Sequence, residues 1–251
     1  PLAFEPGSMI PINTPIILSV LLLATSILPG LAQDKAAPLE IRAAYHNPVR
    51  PVVDLYLPDQ SGNLVRLNLV AEGLSRPQLT RPLEGSLVLY SQPQVDPENP
   101  GDAVAAVYKL PADLRKAIIL VFPASEGAKR PYRLVVINDA PTSFRKGESR
   151  IINLTPVETA VLAGEHKLTI PPGKLRTVPA VTGRNEFNMA QTNFYYKEGE
   201  SWVPITERQL QFLDTTRRIF LVYLTRGSVQ PFVTTIVDTT PEVLIVPLPA
   251  E

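Results

Sequence analysis

The stretch "RPYRLVVINDAP", residues 130–141, returns as "QPFVTTIVDTTP", residues 230–241. Pro131 stands over Pro231, Tyr132 over Phe232 and Pro141 over Pro241, at an offset of one hundred. Working back, Gly127 and Gly227 coincide. Each follows an apolar run, "AIILVF" (117–122) or "IFLVYL" (219–224), and each run follows a basic pair, Arg115-Lys116 or Arg217-Arg218. Further back stand "VYKL" (107–110) and "FYYK" (194–197), and the series opens with "RLNL" (66–69) and "RIINL" (150–154). Landmarks repeated in one order predict a duplicated unit. A single larger β fold is the rival reading, since strand-rich composition is monotonous. The boundary falls at "APTSFRKGES" (140–149), where turn formers and charges interrupt the apolar runs.

The units themselves read as strands. "LVRLNLV" (64–70) alternates, with Val65, Leu67 and Leu69 on one face. "SLVLYS" (86–91), "AVAAVYKL" (103–110), "TAVLAG" (159–164), "HKLTI" (166–170) and "KLRTVPAV" (174–181) continue the pattern, bounded by Pro, Gly, Asp or Asn as sandwich strands are. "AIILVF" and "IFLVYL" are apolar on both faces, which suits central strands covered on each side. The one helical candidate is "ERQLQFLDTTRR" (207–218), whose Leu210 and Phe212 fit a strand equally well.

The 251 residues carry 24 Lys plus Arg against 24 Asp plus Glu, so no basic excess draws a nucleic acid. The 27 prolines suit strand ends and turns, and the apolar content is too high for disorder. After Met9 an apolar core runs from Ile16 to about Leu28 and closes at Pro29-Gly30, too short for a bilayer span of about 20 residues. It predicts a signal peptide at 9–32, cleaved between Ala32 and Gln33, although no Lys or Arg precedes the core. An uncleaved anchor is the alternative. With no cysteine anywhere, disulfides, thiolate metal sites and cysteine nucleophiles are excluded, and a bacterial periplasmic or secreted location is expected.

At Asp139, Pro141, Phe144, Gly147, Arg150, Asn153, Leu154 and Thr155, with a turn at Pro172-Gly173, the chain resembles a family of secreted, functionally uncharacterised proteins of planctomycete and verrucomicrobial bacteria. Trp202 with Pro204 and the run at 218–224 extend that resemblance, which implies no activity. A fainter likeness is to the periplasmic adaptor of alginate O-acetylation. Physical readings stand beside the motif. Asn153 is placed to satisfy a turn's backbone, Pro172-Gly173 to centre a type II turn, and "AGEH" (163–166) to tip a hairpin.

Chemistry is sparse. His46 sits before a proline turn, and His166 falls in phase with Leu168 and Ile170. Two histidines without a G-x-S-x-G elbow make neither a hydrolase triad nor a histidine metal site. Asp96, Glu98 and Asp102 in "QVDPENPGD" (94–102) offer hard oxygens that calcium accepts, though a rigid solvated loop explains them better. "GRNEFNMAQTNFYYKEGESW" (183–202) mixes amides with rings, as sugar-binding surfaces do. Its candidate ligand residues are Asn193, Tyr195, Tyr196 and Trp202, but adjacent Tyr195 and Tyr196 must face opposite ways if extended.

The sequence therefore predicts an all-β protein: a signal peptide at 9–32, then two tandem, related antiparallel β-sandwich domains, Ig-like or transthyretin-like, at 36–141 and 144–249. The expected role is a non-catalytic binding or structural module, without cofactor or metal, engaging a protein or envelope polysaccharide. No nucleic acid is expected, and no membrane span after cleavage. The alternatives are a carbohydrate-binding protein and a polymer-modifying one, such as a glycan hydrolase or acetylation accessory using paired carboxylates.

Overall fold

The computed structural model describes residues 37–46, 53–71 and 73–239; the expected leader at 9–32 lies outside them, as does Pro241. All regular structure among these residues is strand. The first half contributes β1 (Leu39–Tyr45), β2 (Tyr56–Pro58), β3 (Leu64–Arg66), β4 (Gln78–Thr80), β5 (Ser86–Tyr90), β6 (Val104–Lys109), β7 (Lys116–Pro123) and β8 (Tyr132–Asn138). The second contributes β9 (Ser149–Asn153), β10 (Thr159–Ala163), β11 (His166–Ile170), β12 (Leu175–Val178), β13 (Met189–Glu198), β14 (Ser201–Gln211), β15 (Arg217–Tyr223) and β16 (Phe232–Asp238). The helical candidate at 207–218 is the end of β14, a turn and the first two residues of β15, with Gln209 and Gln211 exposed and Leu210 half-buried between them.

Each half is a sandwich of two four-stranded sheets. The orders are β4-β1-β7-β8 over β3-β2-β5-β6, then β12-β9-β15-β16 over β11-β10-β13-β14. Adding eight to every strand of the first half reproduces the second, so the duplication holds at the level of topology. Pairing is antiparallel except that β1 runs parallel to β7 and β9 parallel to β15. The expected antiparallel sandwiches are thus present, with one parallel pair in each half where its first and seventh strands lie side by side in one sheet.

The repeated landmarks matched the right hairpin and the wrong remainder. The β7–β8 and β15–β16 hairpins share register at the offset of one hundred, Pro123 facing Tyr132 and Tyr223 facing Phe232. Their turns agree too, with Gly127 at φ +77° and Gly227 at φ +81°. However, "RIINL" forms β9, the counterpart of β1, whereas "RLNL" begins at the end of β3. "FYYK" lies in β13, the counterpart of β5, whereas "VYKL" lies in β6. The true partner of "RIINL" is "LEIRAAY", whose charges and small alanines hide a central strand.

Three apolar layers hold the four sheets together. Ile41, Leu57, Leu87, Leu89, Ile119 and Val121 fill the first sandwich, and Val161, Ile170, Phe194, Phe212, Phe220 and Val222 fill the second. The third layer lies between the sandwiches. There Ala44, Ile118, Leu120, Phe122 and Ile137 of one inner sheet meet Ile152, Ile219, Leu221 and Ile236 of the other. This explains why "AIILVF" and "IFLVYL" are apolar throughout: alternate residues serve a sandwich core and the joint. The phase differs between halves. Ile119 faces the first core, yet Ile219, one hundred residues on, faces the joint. The second hairpin is thus displaced by one residue, which turns every side chain over. Two apolar faces make that displacement tolerable.

A buried charge cluster pins the joint. Arg42 on β1 donates from Nε and Nη2 to Asp139 at 2.9 and 3.0 Å, and from Nη1 and Nη2 to Asp238 at 2.8 and 2.9 Å. Arg217 reaches Asp139 at 2.8 Å and Asp238 through Nε at 3.0 Å, and its Nη1 donates to the Phe144 carbonyl at 3.0 Å. Burial alone would lower the Arg42 guanidinium; its bonds to and the charges of Asp238 and Asp139 instead hold it above the ordinary arginine range. Phe144 is fully buried beneath Arg217 and Arg150, at 4.6 and 5.0 Å from ring centre to guanidinium. The segment predicted as a boundary loop is therefore a packed strap.

Candidate binding surface

The long hairpin of β13 and β14 brings exposed aromatic and amide side chains together on one face of the second sandwich. Glu198 pairs with Ser201 across a two-residue loop, and Gly199, at φ +57°, provides the left-handed residue it needs. Phe194 is buried in the core and pairs with Thr206; Tyr195 pairs with Pro204, so Ile205 bulges from β14. Alternation then fixes the faces. Phe194 and Tyr196 turn towards the inner sheet, whereas Gln191, Asn193, Tyr195 and Lys197 turn outwards. Across the ladder, Lys197 faces Trp202 and Asn193 faces Glu207.

Three of the four predicted ligand residues thus share one outer face: Asn193, Tyr195 and Trp202. Tyr196 does not join them; it is half-buried on the other side, opposite Val203 and Thr159. The shared face is wired by hydrogen bonds. Gln191 Nε2 donates to Asn193 Oδ1 at 2.6 Å, Asn193 Nδ2 donates to the Tyr195 hydroxyl at 3.1 Å, and that hydroxyl donates to Glu207 Oε1 at 3.1 Å. Trp202 stands diagonally across the ladder from Tyr195 and is 42% exposed. Sequence reading missed Gln191, Lys197 and Glu207. Glu207 was assigned to the helical candidate, and reading that segment as the partner strand of β13 would have placed it here.

The remaining candidates have local explanations. His46 lies edge-on between Phe122 at 5.8 Å and Tyr223 at 4.5 Å, in the joint, and burial holds it below the usual histidine value. His166 is half-buried on its strand, with Nε2 3.1 Å from the Ala180 carbonyl. Beside it, Glu165 accepts from Thr182 N and Oγ1, both at 2.8 Å, and from Gly183 N at 3.0 Å, which depresses its carboxyl to about 2. Asp96 caps its own loop, accepting from Glu98 N at 2.9 Å and Asn99 Nδ2 at 3.3 Å. Among the described residues no group of three or more His, Cys, Asp or Glu is gathered to hold a metal, so Asp96, Glu98 and Asp102 do not form one. Also among them, no helix is long and apolar enough to cross a membrane.

The resemblance motif proves architectural. Asp139, Phe144 and Arg150 belong to the joint; Gly147 takes φ +81°; Arg150 bonds the Ser143 carbonyl and Thr177. Asn153, fully buried, donates to the Val157 and Ile170 carbonyls at 2.7 and 2.9 Å and accepts from Thr155 N and Oγ1 at 2.9 and 2.7 Å. Gly173, at φ +67°, sits third in a turn closed by Lys174 N on the Pro171 carbonyl at 3.1 Å. Neither a family model nor a curated protein matches the chain.

Proposed function

We propose that this chain is an exported, non-catalytic binding module whose outer β13–β14 face engages an envelope polysaccharide. The observation that carries the reading is the ladder Gln191–Asn193–Tyr195–Glu207 with Trp202 beside it. Fixed amides and a fixed phenol lose little rotamer freedom on binding, and flat rings offer area to the faces of sugar rings. The surface is open rather than cleft-like, which fits a polymer lying across strands. The two sandwiches behind it form one braced support, because the joint is both apolar and ion-paired. Export is part of the proposal. It rests on the apolar run after Met9, and the absence of cysteine suits a bacterial periplasmic or secreted location.

The test is affinity electrophoresis of the protein in gels carrying purified envelope polysaccharides. Retardation by at least one polymer is expected. Trp202→Ala and Tyr195→Ala should each weaken it about tenfold, roughly 1.4 kcal/mol, and Tyr196→Phe should not. Equal mobility in every polymer, or retardation indifferent to both substitutions, would sink the assignment.

A further inference from the structure

The hydrogen-bonded row on the outer β13–β14 face has a direction, and Glu207 sets it. A carboxylate can only accept, so the Tyr195 hydroxyl, 3.1 Å from Glu207 Oε1, gives its proton there. That hydroxyl is then left to accept, which turns the Asn193 nitrogen towards it at 3.1 Å and the Asn193 oxygen towards Gln191. Gln191 answers in the same sense, its Nε2 donating to Asn193 Oδ1 at 2.6 Å. The acid at one end thereby orients a phenol and both amides, groups whose own chemistry permits either direction.

What the row offers a ligand follows from that direction. Both ends accept: Gln191 Oε1 at one and Glu207 Oε2 at the other have no hydrogen-bond partner among the described residues. Between them the Tyr195 proton is committed, and Asn193 Nδ2 keeps one N–H to donate. Among the described residues no Lys, Arg or His forms an ion pair with Glu207; the cation on this face of β13, Lys197, lies 4.0 Å from Glu200 instead. The flanks of the row are uncharged. Ala160 and Leu162 of β10 stand opposite Tyr195 and Asn193, while Pro204 and Gln209 of β14 stand opposite Tyr195 and Gln191. The whole chain has a formal net charge of zero, so any selection by charge here is local. Resting on the reading of this face as a polysaccharide surface, the geometry points to an uncharged, hydroxyl-rich polysaccharide as its ligand, with Glu207 excluding uronate and sulfated sugars. Neutral hydroxyls can donate to both ends and accept from Asn193 while a sugar ring lies on Trp202. A ligand carboxylate or sulfate brings no donor and meets a like charge that no cation of the face offsets.

The test is equilibrium binding of the full chain to immobilised polymers: uncharged glucan, mannan and galactan, and polygalacturonate. Salt at about 0.15 M screens charges beyond about 8 Å, so only local ones act. At least one uncharged polymer is expected to bind about tenfold or more tighter than polygalacturonate. Glu207→Gln keeps an acceptor for Tyr195 and drops the charge. Polygalacturonate should then gain about tenfold, with the uncharged polymer changing by less than about threefold. Glu126→Gln, exposed in the first sandwich, makes the same change in net charge and should leave the ranking as it was. Polygalacturonate binding as tightly as the best uncharged polymer overturns the proposal and leaves the face a polysaccharide surface. A ranking that Glu207→Gln does not alter, or that Glu126→Gln alters equally, does the same. Binding to none of the polymers overturns it together with the reading on which it rests.

Discussion

Arg42 is the residue on which most depends, and it was invisible in the sequence. Its acceptors lie 97 and 196 residues away, so no local pattern announces them. Arg42→Ala removes a shared guanidinium from two buried carboxylates, and should cost about 3–5 kcal/mol in urea unfolding, the usual penalty for breaking a buried pair. Asn153 and Gly173 were legible for the opposite reason: their partners are within about one turn or hairpin, and the amide and the left-handed φ declare themselves. Glu165 gives a prediction about pH. Its folded pKa, about 2, lies below the unfolded carboxylate value, so its contribution is complete above about pH 5 and is lost as pH falls towards 2. Thermal melts of the protein and of Glu165→Gln should therefore differ at neutral pH and converge in acid.

Among elements, the hairpins were readable and β1 was not. Short runs with Gly or Pro near their ends located β11, at 166–170, and bracketed β5 and β10 closely, while unbroken apolar runs marked β7 and β15. β2 and β4 have three residues each, too few for a period to show. On the candidate surface, alternation separated Tyr195 from Tyr196, but the partner strand had to be seen before Glu207 and Trp202 could be set beside Tyr195. Glycines test the turns by contrast. Gly164 and Gly173 both hold positive φ, but a Cβ on Gly164 would come within 2.5 Å of Val181 Cγ1, whereas none of the neighbours of Gly173 lies within 4 Å. Gly173→Ala should cost about 1 kcal/mol from backbone strain alone, and Gly164→Ala clearly more, measured by denaturant midpoint at constant slope.

At the scale of the whole molecule, two similar sandwiches present the same inner sheet to each other, so the buried layer resembles an isologous interface joined by a strap. Either half alone would bare that layer, whose fully buried Ile and Leu side chains are worth about 1.5–3 kcal/mol apiece. Residues 37–143 and 140–239 expressed separately are expected to aggregate or bind hydrophobic dye, and the intact chain to melt in one calorimetric transition. Two well-separated transitions, or a monomeric folded half, would contradict this. The sequence carried the duplication and the double-faced central strands. It did not carry the sandwich-to-sandwich contact, because an apolar face reads the same whether a core or a second domain covers it.

The position of Asp238 has one more effect. Synthesis delivers Asp139 97 residues after Arg42 and Asp238 196 residues after it, so the guanidinium meets one counter-ion as the first sandwich closes and the other only when β16 emerges. A chain halted between the two lacks the Asp238 half of that pairing and holds an oily inner sheet with no opposite layer. Charge balance in the joint is thus reached only once both sandwiches have been made.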